Sequence, residues 1–280
     1  MNPSTFASSD PEPAANGAAV AADSGSGEGF SAAERQAFYR ILQSRRDIRA
    51  QFRPTPIPLP ILSRILLAAH HAPSVGYMQP WSFILIRDPA VKARIHADFE
   101  QANQEAVALF PAEKRDFYAR LKLEGIREAP LNLCLTCDRE RAGPVVIGRT
   151  HIPAMDLFSS VCAVQNLWLA ARAEGIGVGW VSILHPNRLK ALLGIPEPII
   201  PIAYLCLGEV SHFPERPELE TAGWRQRLPL ESLLHFERWE GCADNADAQA
   251  LVRQVSHDQA VAATGSWPDS GPDRSPVFPP

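Results

Sequence analysis

No stretch of this 280-residue sequence approaches the ~18 consecutive apolar residues of a membrane span. The first thirty residues hold no basic start followed by an apolar block, so no secretory leader is expected. Basic charge is not in excess. There are 27 Lys and Arg against 31 Asp and Glu, a net of −4, which argues against nucleic acid as the main partner. The five cysteines are an odd, scattered set, mostly inside apolar runs. They are expected to be buried thiols in a reducing cytoplasm and not a disulfide framework. Cys134 and Cys137 have the CxxC interval, but on a strand they face opposite sides, and no second pair completes a zinc site. His70, His71, His151 and His185 show no metal spacing with one another or with acids, so no metal is expected. There is no internal repeat.

Two shifts in composition bound the folded part. Residues 1–29 are Ala, Ser, Gly, Pro and acids, with Phe6 the lone aromatic, and cannot bury enough surface to fold. Residues 242–280, rich in Asp, Ala, Gln, Ser and Pro, are expected to be a second disordered tail. Residues 30–241 remain, the size of one domain.

Inside that domain the patterns are regular. Ser31-Ala32-Ala33-Glu34 is a capping box and predicts a helix to about Gln43. Pro54, Pro56, Pro58 and Pro60 delay the next helix, which the apolar spacing puts over 61–71. A strand is predicted from Trp81 to Arg87, then two helical pieces over 89–124 divided by Pro111, then a strand from Leu131 to Thr136. The strongest helix runs from Asp156 to Glu174, apolar on more than one face and so central. A strand from Gly177 to Leu184, a short helix between Pro186 and Gly194, and a strand from Ile199 to Val210 follow. The fold class expected is α+β, a small mixed or antiparallel sheet wrapped by helices.

Four segments carry chemistry. Ser44-Arg45-Arg46-Asp47-Ile48-Arg49 puts three arginines around one carboxylate where a helix meets a Pro-rich loop. Arginine forks match phosphate oxygens in two-point contact, and a carboxylate beside a bound anion needs another task, such as gripping hydroxyls or moving a proton. The same letters also suit a solvated helix end. In the turn from Ala72 to Trp81, Ser74 and Gly76 can expose backbone donors and Gln79 adds an amide, although Pro and Gly also punctuate plain turns. Gly175, Gly177 and Gly179 alternate into a strand and permit close approach of a flat ligand or of another element. They precede a strand instead of opening a helix, so they are not a dinucleotide fingerprint. Ser182 follows with a hydroxyl and no nearby His–Asp signature, so it is not read as a nucleophile. Near the end of the domain, Arg225 or Arg227 of Gly223-Trp224-Arg225-Gln226-Arg227 could complete an anion clamp.

Taken in order, S-R-R-D-I-R-x-x-F, A-P-S-V-G-x-M-Q-P-W, the block from Met155 to Ser182 and G-W-R-x-R resemble the nitroreductase-like flavoproteins. The likeness covers about residues 34–241. Asp47 stands where general nitroreductases usually carry Ser, which resembles the dimethylbenzimidazole synthase (BluB) branch. That resemblance implies an unusual reaction in which reduced FMN is the substrate and dioxygen the co-substrate. The flavin is fragmented to 5,6-dimethylbenzimidazole, the lower ligand of cobalamin, and D-erythrose 4-phosphate. It implies a cytoplasmic homodimer with FMN sites at the interface and a separate flavin reductase as supplier, with no nucleic acid and no membrane involved.

By the same resemblance Arg45, Arg46 and Arg49, with Ile48 among them, would hold the phosphate or polar rim, and Arg225 would assist. Ser74, Gly76 and Gln79 would line the ring. Gly177 and Gly179 would let the ring approach the strand. Asp47 would accept a proton near the ribityl hydroxyls, and Ser182 would meet the reactive edge. Residues 89–130 would cover the site. Two other readings stay open: an NAD(P)H-dependent nitroreductase or flavin reductase on the same fold, and an FMN carrier without turnover.

Overall fold

The computed structural model describes residues 29–265. The expectation for the N-terminal tail lies outside them except for Gly29. Ser31 caps the first helix, α1 (Ala32–Ser44): its Oγ accepts from the Glu34 amide at 3.3 Å, and Glu34 accepts from the Ser31 amide at 2.8 Å. Then come α2 (Leu59–His70), β1 (Trp81–Ile86), α3 (Pro89–Leu109), α4 (Ala112–Ala119) and β2 (Leu131–Asp138). After these follow α5 (Met155–Ala173), β3 (Ile176–Val181), α6 (Pro186–Leu193) and β4 (Ile199–Glu209). Two short elements, α7 (Glu218–Thr221) and a 3-10 turn at Leu230–Leu233, lead to α8 (Ala246–Ala263).

The four strands form one antiparallel sheet in the order β1-β2-β4-β3. Both faces are buried, so β2 and β4 are nearly continuous in apolar residues, yet the period of two still sorts them. Leu133, Leu135, Leu205 and Leu207 meet Leu62, Ile65 and Ala69 of α2 and Val164, Leu167 and Ala171 of α5. Cys134, Tyr204 and Cys206 face the other way, onto Ile95 and Phe99 of α3 and Leu189 of α6. Cys134, Cys137 and Cys206 are free and buried, and burial pushes the Cys134 thiol up to about 12. Among the described residues, no helix is long and apolar enough to cross a membrane.

Two expectations need correction. The third strand stops at Val181 and not at Leu184, because the chain leaves the sheet to bond with α3: the His185 amide donates to Asp98 Oδ2 at 2.9 Å. The second tail is helical over Ala246–Ala263, and its residues 266–280 lie outside the described ones. Asn245 caps α8 by accepting from the Ala248 amide at 2.8 Å, and Gln43 of α1 donates to the Ala262 carbonyl at 2.7 Å. Ala248, Val252, Val255, Gln259 and Ala262 recur at helical spacing and form its less exposed side.

The outer edge of β3 positions the site. It is joined by the chain just after α1: the Ile48 amide donates to the Val178 carbonyl at 3.0 Å in a parallel bridge. Ile48 is fully buried there. A methyl group on Gly179 would collide with the Ile48 carbonyl, and one on Gly177 with the side chains of Val210 and Ile48. Gly179→Ala should therefore cost about 1–3 kcal/mol, as overpacking does. Urea unfolding measures it, and an unchanged midpoint would contradict this docking.

Candidate active site

The β3 edge and Arg49 each hold one oxygen of Asp47. Oδ1 accepts from the Trp180 amide at 3.0 Å, and Oδ2 accepts from Arg49 Nη2 at 2.7 Å. Burial pushes this carboxyl up from the ordinary range, and Arg49, the Trp180 amide and Arg45 oppose that without cancelling it. A group so placed is suited to proton transfer. Ser182 lies two residues past Trp180, exposed, just beyond the end of β3. The fold thus brings Asp47 to the same strand end as Ser182.

The arginines separate into different tasks. Arg45 leaves the end of α1 in extended conformation, and its guanidinium lies 4.8 Å from the centre of the Trp168 ring. Arg46 donates to the Gln43 carbonyl at 2.6 Å, to the Arg45 carbonyl at 2.8 Å and to the Glu215 carbonyl. Most of its fork is therefore used in fastening α1 to the later chain. Arg49 is engaged by Asp47 and, at 3.7 Å, by Glu218. The buried Nε atoms of Arg46 and Arg49 have no hydrogen-bond partner among the described residues. Around these, positive charge accumulates. Burial lowers the Arg45 pKa, against the pull of Asp47, and Arg227 lowers it further. Burial and then the charges of Arg45, Arg172 and Arg227 lower that of Arg46. Cations that repel one another around unpartnered N–H groups suit an anion. Arg45 and Arg46 both feel the charge of Arg227, which places it beside Arg225 as a candidate for the anion clamp.

Gly177 and Gly179 are not left open to a flat ring on their Cβ side, which corrects that expectation. The approaching backbone is the protein's own, Asp47–Ile48. Gly76 is similar. At φ +53° it lies in the left-handed region, and a Cβ there would sit 2.5 Å from Val146 and 3.0 Å from the Ile147 carbonyl. Ser74 shapes the same turn, its Oγ accepting from the Gln79 amide at 3.1 Å. Tyr77 and Gln79 also have positive φ, 54° and 46°. Arg141 fixes the exit of the turn by donating to the Gln79 and Trp81 carbonyls, each at 2.6 Å. Backbone strain of this kind, held by surrounding bonds, marks functional turns.

Trp224 escaped the sequence reading. It stacks on Phe117 of α4 with ring centres 5.7 Å apart and meets Phe110 edge-on at 5.5 Å. Its own segment is tied back to the arginines, because Glu218 accepts from Gln51 at 2.6 Å and also pairs with Arg49. The chain after α4 also rests on the arginine segment: a Cβ on Gly125 would lie 2.7 Å from the Arg49 carbonyl. The available signal was G-W-R itself, where the arginine drew attention from the tryptophan.

Comparison with known proteins agrees with this architecture. The nitroreductase family model matches residues 42–209. The 5,6-dimethylbenzimidazole synthase of Rhodospirillum rubrum is 44% identical over 200 residues, 71% of this chain and 94% of that protein. The enzyme of the same name from Rhodobacter capsulatus is 38% identical over 202 residues, 72% of this chain and 97% of its own length. Among solved structures, oxidised iodotyrosine deiodinase bound to FMN and 3-iodo-L-tyrosine shares the fold, with a TM-score of 0.57 at 20% identity over 72% of this chain and 100% of that one. The chain belongs to the nitroreductase family and groups within it with the 5,6-dimethylbenzimidazole synthases.

Proposed function

We propose that this protein is a 5,6-dimethylbenzimidazole synthase that takes reduced FMN as substrate and fragments it with dioxygen, releasing D-erythrose 4-phosphate. The remainder of the flavin, its pyrimidine portion, leaves with the oxygen taken up. The observation that carries the reading is Asp47. It sits among arginines, fixed by Arg49 and the Trp180 amide, with a pKa raised by burial. A carboxylate so close to a phosphate site weakens simple binding by like-charge repulsion, so its presence speaks for chemistry over storage.

The residues of this chain divide the work. Arg45 and Arg227, helped by the unpartnered Nε groups of Arg46 and Arg49, receive the phosphate or polar rim. Asp47 accepts a proton near the ribityl hydroxyls. The Ser182 hydroxyl serves the reactive edge of the ring. The turn over Ser74, Gly76 and Gln79 supports the ring through its backbone. Helices α3 and α4 exclude water, which protects reactive species. A separate flavin reductase supplies the reduced flavin. Two copies pair through the exposed apolar side of α5, where Phe158 and Val161 stand in solvent.

Aerobic incubation with chemically reduced FMN should give dimethylbenzimidazole by chromatography, dependent on protein and dioxygen. Recovery of intact, reoxidised FMN would instead indicate an NAD(P)H-dependent nitroreductase or flavin reductase. Asp47→Asn should retain FMN and lose product formation by ~10²-fold or more, the usual range for a general base. Wild-type yield from that variant would remove Asp47 from the chemistry. Ser182→Gly should lower yield with folding intact, and an unchanged rate would count against a role for Ser182. Arg227→Ala should weaken FMN binding by about 1.5–3 kcal/mol, the scale of charged hydrogen bonds. Arg225→Ala should leave it nearly unaltered in the same titration, and equal losses from the two would refute the assignment.

A further inference from the structure

Three residues beyond Ser182, His185 is held between two carboxylates of α3. Its Nδ1 lies 2.8 Å from Asp98 Oδ1, and its Nε2 lies 3.0 Å from Glu105 Oε2. The backbone amide of the same residue donates to Asp98 Oδ2 at 2.9 Å. Arg188, in the first turn of α6, donates its Nη1 to Asp98 Oδ1 at 3.4 Å and to Gln101 Oε1 at 2.5 Å. Asp98 is buried, with only 5% of its surface exposed, while Glu105 stands in solvent. The titratable and charged groups facing the ring are therefore Asp98 and Glu105 from α3, with Arg188 from α6 sharing Asp98 Oδ1 with the ring.

A neutral imidazole has one N–H and one lone pair. Between two carboxylates, one of its nitrogens would then present a lone pair to an anion. Only the imidazolium donates on both sides. We propose that His185, in its protonated form, is a positioning residue for Ser182, fastening the turn from Ser182 to His185 onto α3 and holding the covering helices against that end of β3. The role given to Ser182 rests on the flavin-fragmenting function, whereas the fastening rests on these contacts alone.

The sign of the pH dependence follows. Hydrogen bonds first from Glu105 and then from Asp98 raise the His185 pKa above its ordinary value of about 6.5. The fastening is complete below that ordinary value and is lost as pH rises through the raised one. Above it, the turn and α3 remain in contact through the His185 amide and Arg188, so the helices loosen and the fold persists.

Hydrogen exchange of the full chain, corrected for the intrinsic effect of pH, tests this on peptides spanning α3 and residues 182–188. In the wild type, opening of these peptides should increase by up to about tenfold for each unit of pH between the ordinary value of about 6.5 and the raised one, and should level off above it. His185→Gln, which keeps polarity and cannot ionise, should show no pH step. Glu105→Gln changes an exposed side chain, so it keeps the fold, and it should move the step to lower pH. A step of unchanged size and position in both variants, or no step in the wild type, overturns the proposal. Product yield measured alongside should follow the wild-type step and lose it in His185→Gln. If no protein forms dimethylbenzimidazole while the exchange steps appear as stated, the flavin reading fails and the fastening stands.

Discussion

The site depends on a short length of backbone laid against the free edge of β3. One amide-to-carbonyl bond, Ile48 to Val178, and one amide-to-carboxylate bond, Trp180 to Asp47, hold it there. An exposed strand edge has unpaired donors and acceptors that must be satisfied. Here a single residue adds to the ladder, and the side chain before it takes the next donor. Pairing with β3 therefore stops after Ile48, and pairing with the sheet resumes only at Phe52, against Val210 at the end of β4. The two glycines of β3 are the condition for this. With any side chain at Gly179, the Ile48 carbonyl could not come so close, and Asp47 would lose its position with it.

Electrostatics explains why Asp47 is unusual. A carboxylate between arginines would ordinarily be held well below its usual pKa. In this protein burial outweighs them, so the acid and its conjugate base lie closer in free energy than on the surface. The surrounding cations are only partly neutralised. Arg49 is spoken for by Asp47 and Glu218, while Arg45 and Arg227 have no such partner among the described residues. The arrangement is incomplete as a salt-bridge network and a phosphate would complete it, which is the reason for proposing the substrate anion there.

How much of this was legible depended on range. Local signals were read correctly: the Ser31–Glu34 capping box, the apolar stripe of α5 and Gly194 after α6 each act within a few residues. The alternation of Gly177 and Gly179 rightly indicated close approach, but a glycine does not say whether the visitor is a ligand or a distant part of the chain. Arg225 and Arg227 lie in irregular chain, where no period tells which one stands nearer to Arg45 and Arg46. Trp224 needs Phe110 and Phe117, more than a hundred residues earlier, to have meaning. The less exposed side of α8, from Ala248 to Ala262, was lost in a composition that looked like a tail. The resemblance to flavoproteins carried the function further than any of these local readings could.

The segment from Glu215 to Arg227 links these observations energetically. At one end Glu215 and Glu218 receive Arg46, Arg49 and Gln51; further on Trp224 packs into the aromatic rings of α4 and its approach. Folding must bring Arg227 towards Arg45 and Arg46 against their mutual repulsion. An anion bound among them removes part of that cost and so favours the docked segment over an open one. By linkage, the free energy gained is the same whether counted as tighter anion binding or as firmer docking. Since Trp224 is carried by that segment, the aromatic packing of α4 shares in the gain. A phosphate-bearing substrate would thus strengthen the attachment of the helices proposed to cover it, and a lone flavin ring without phosphate would not.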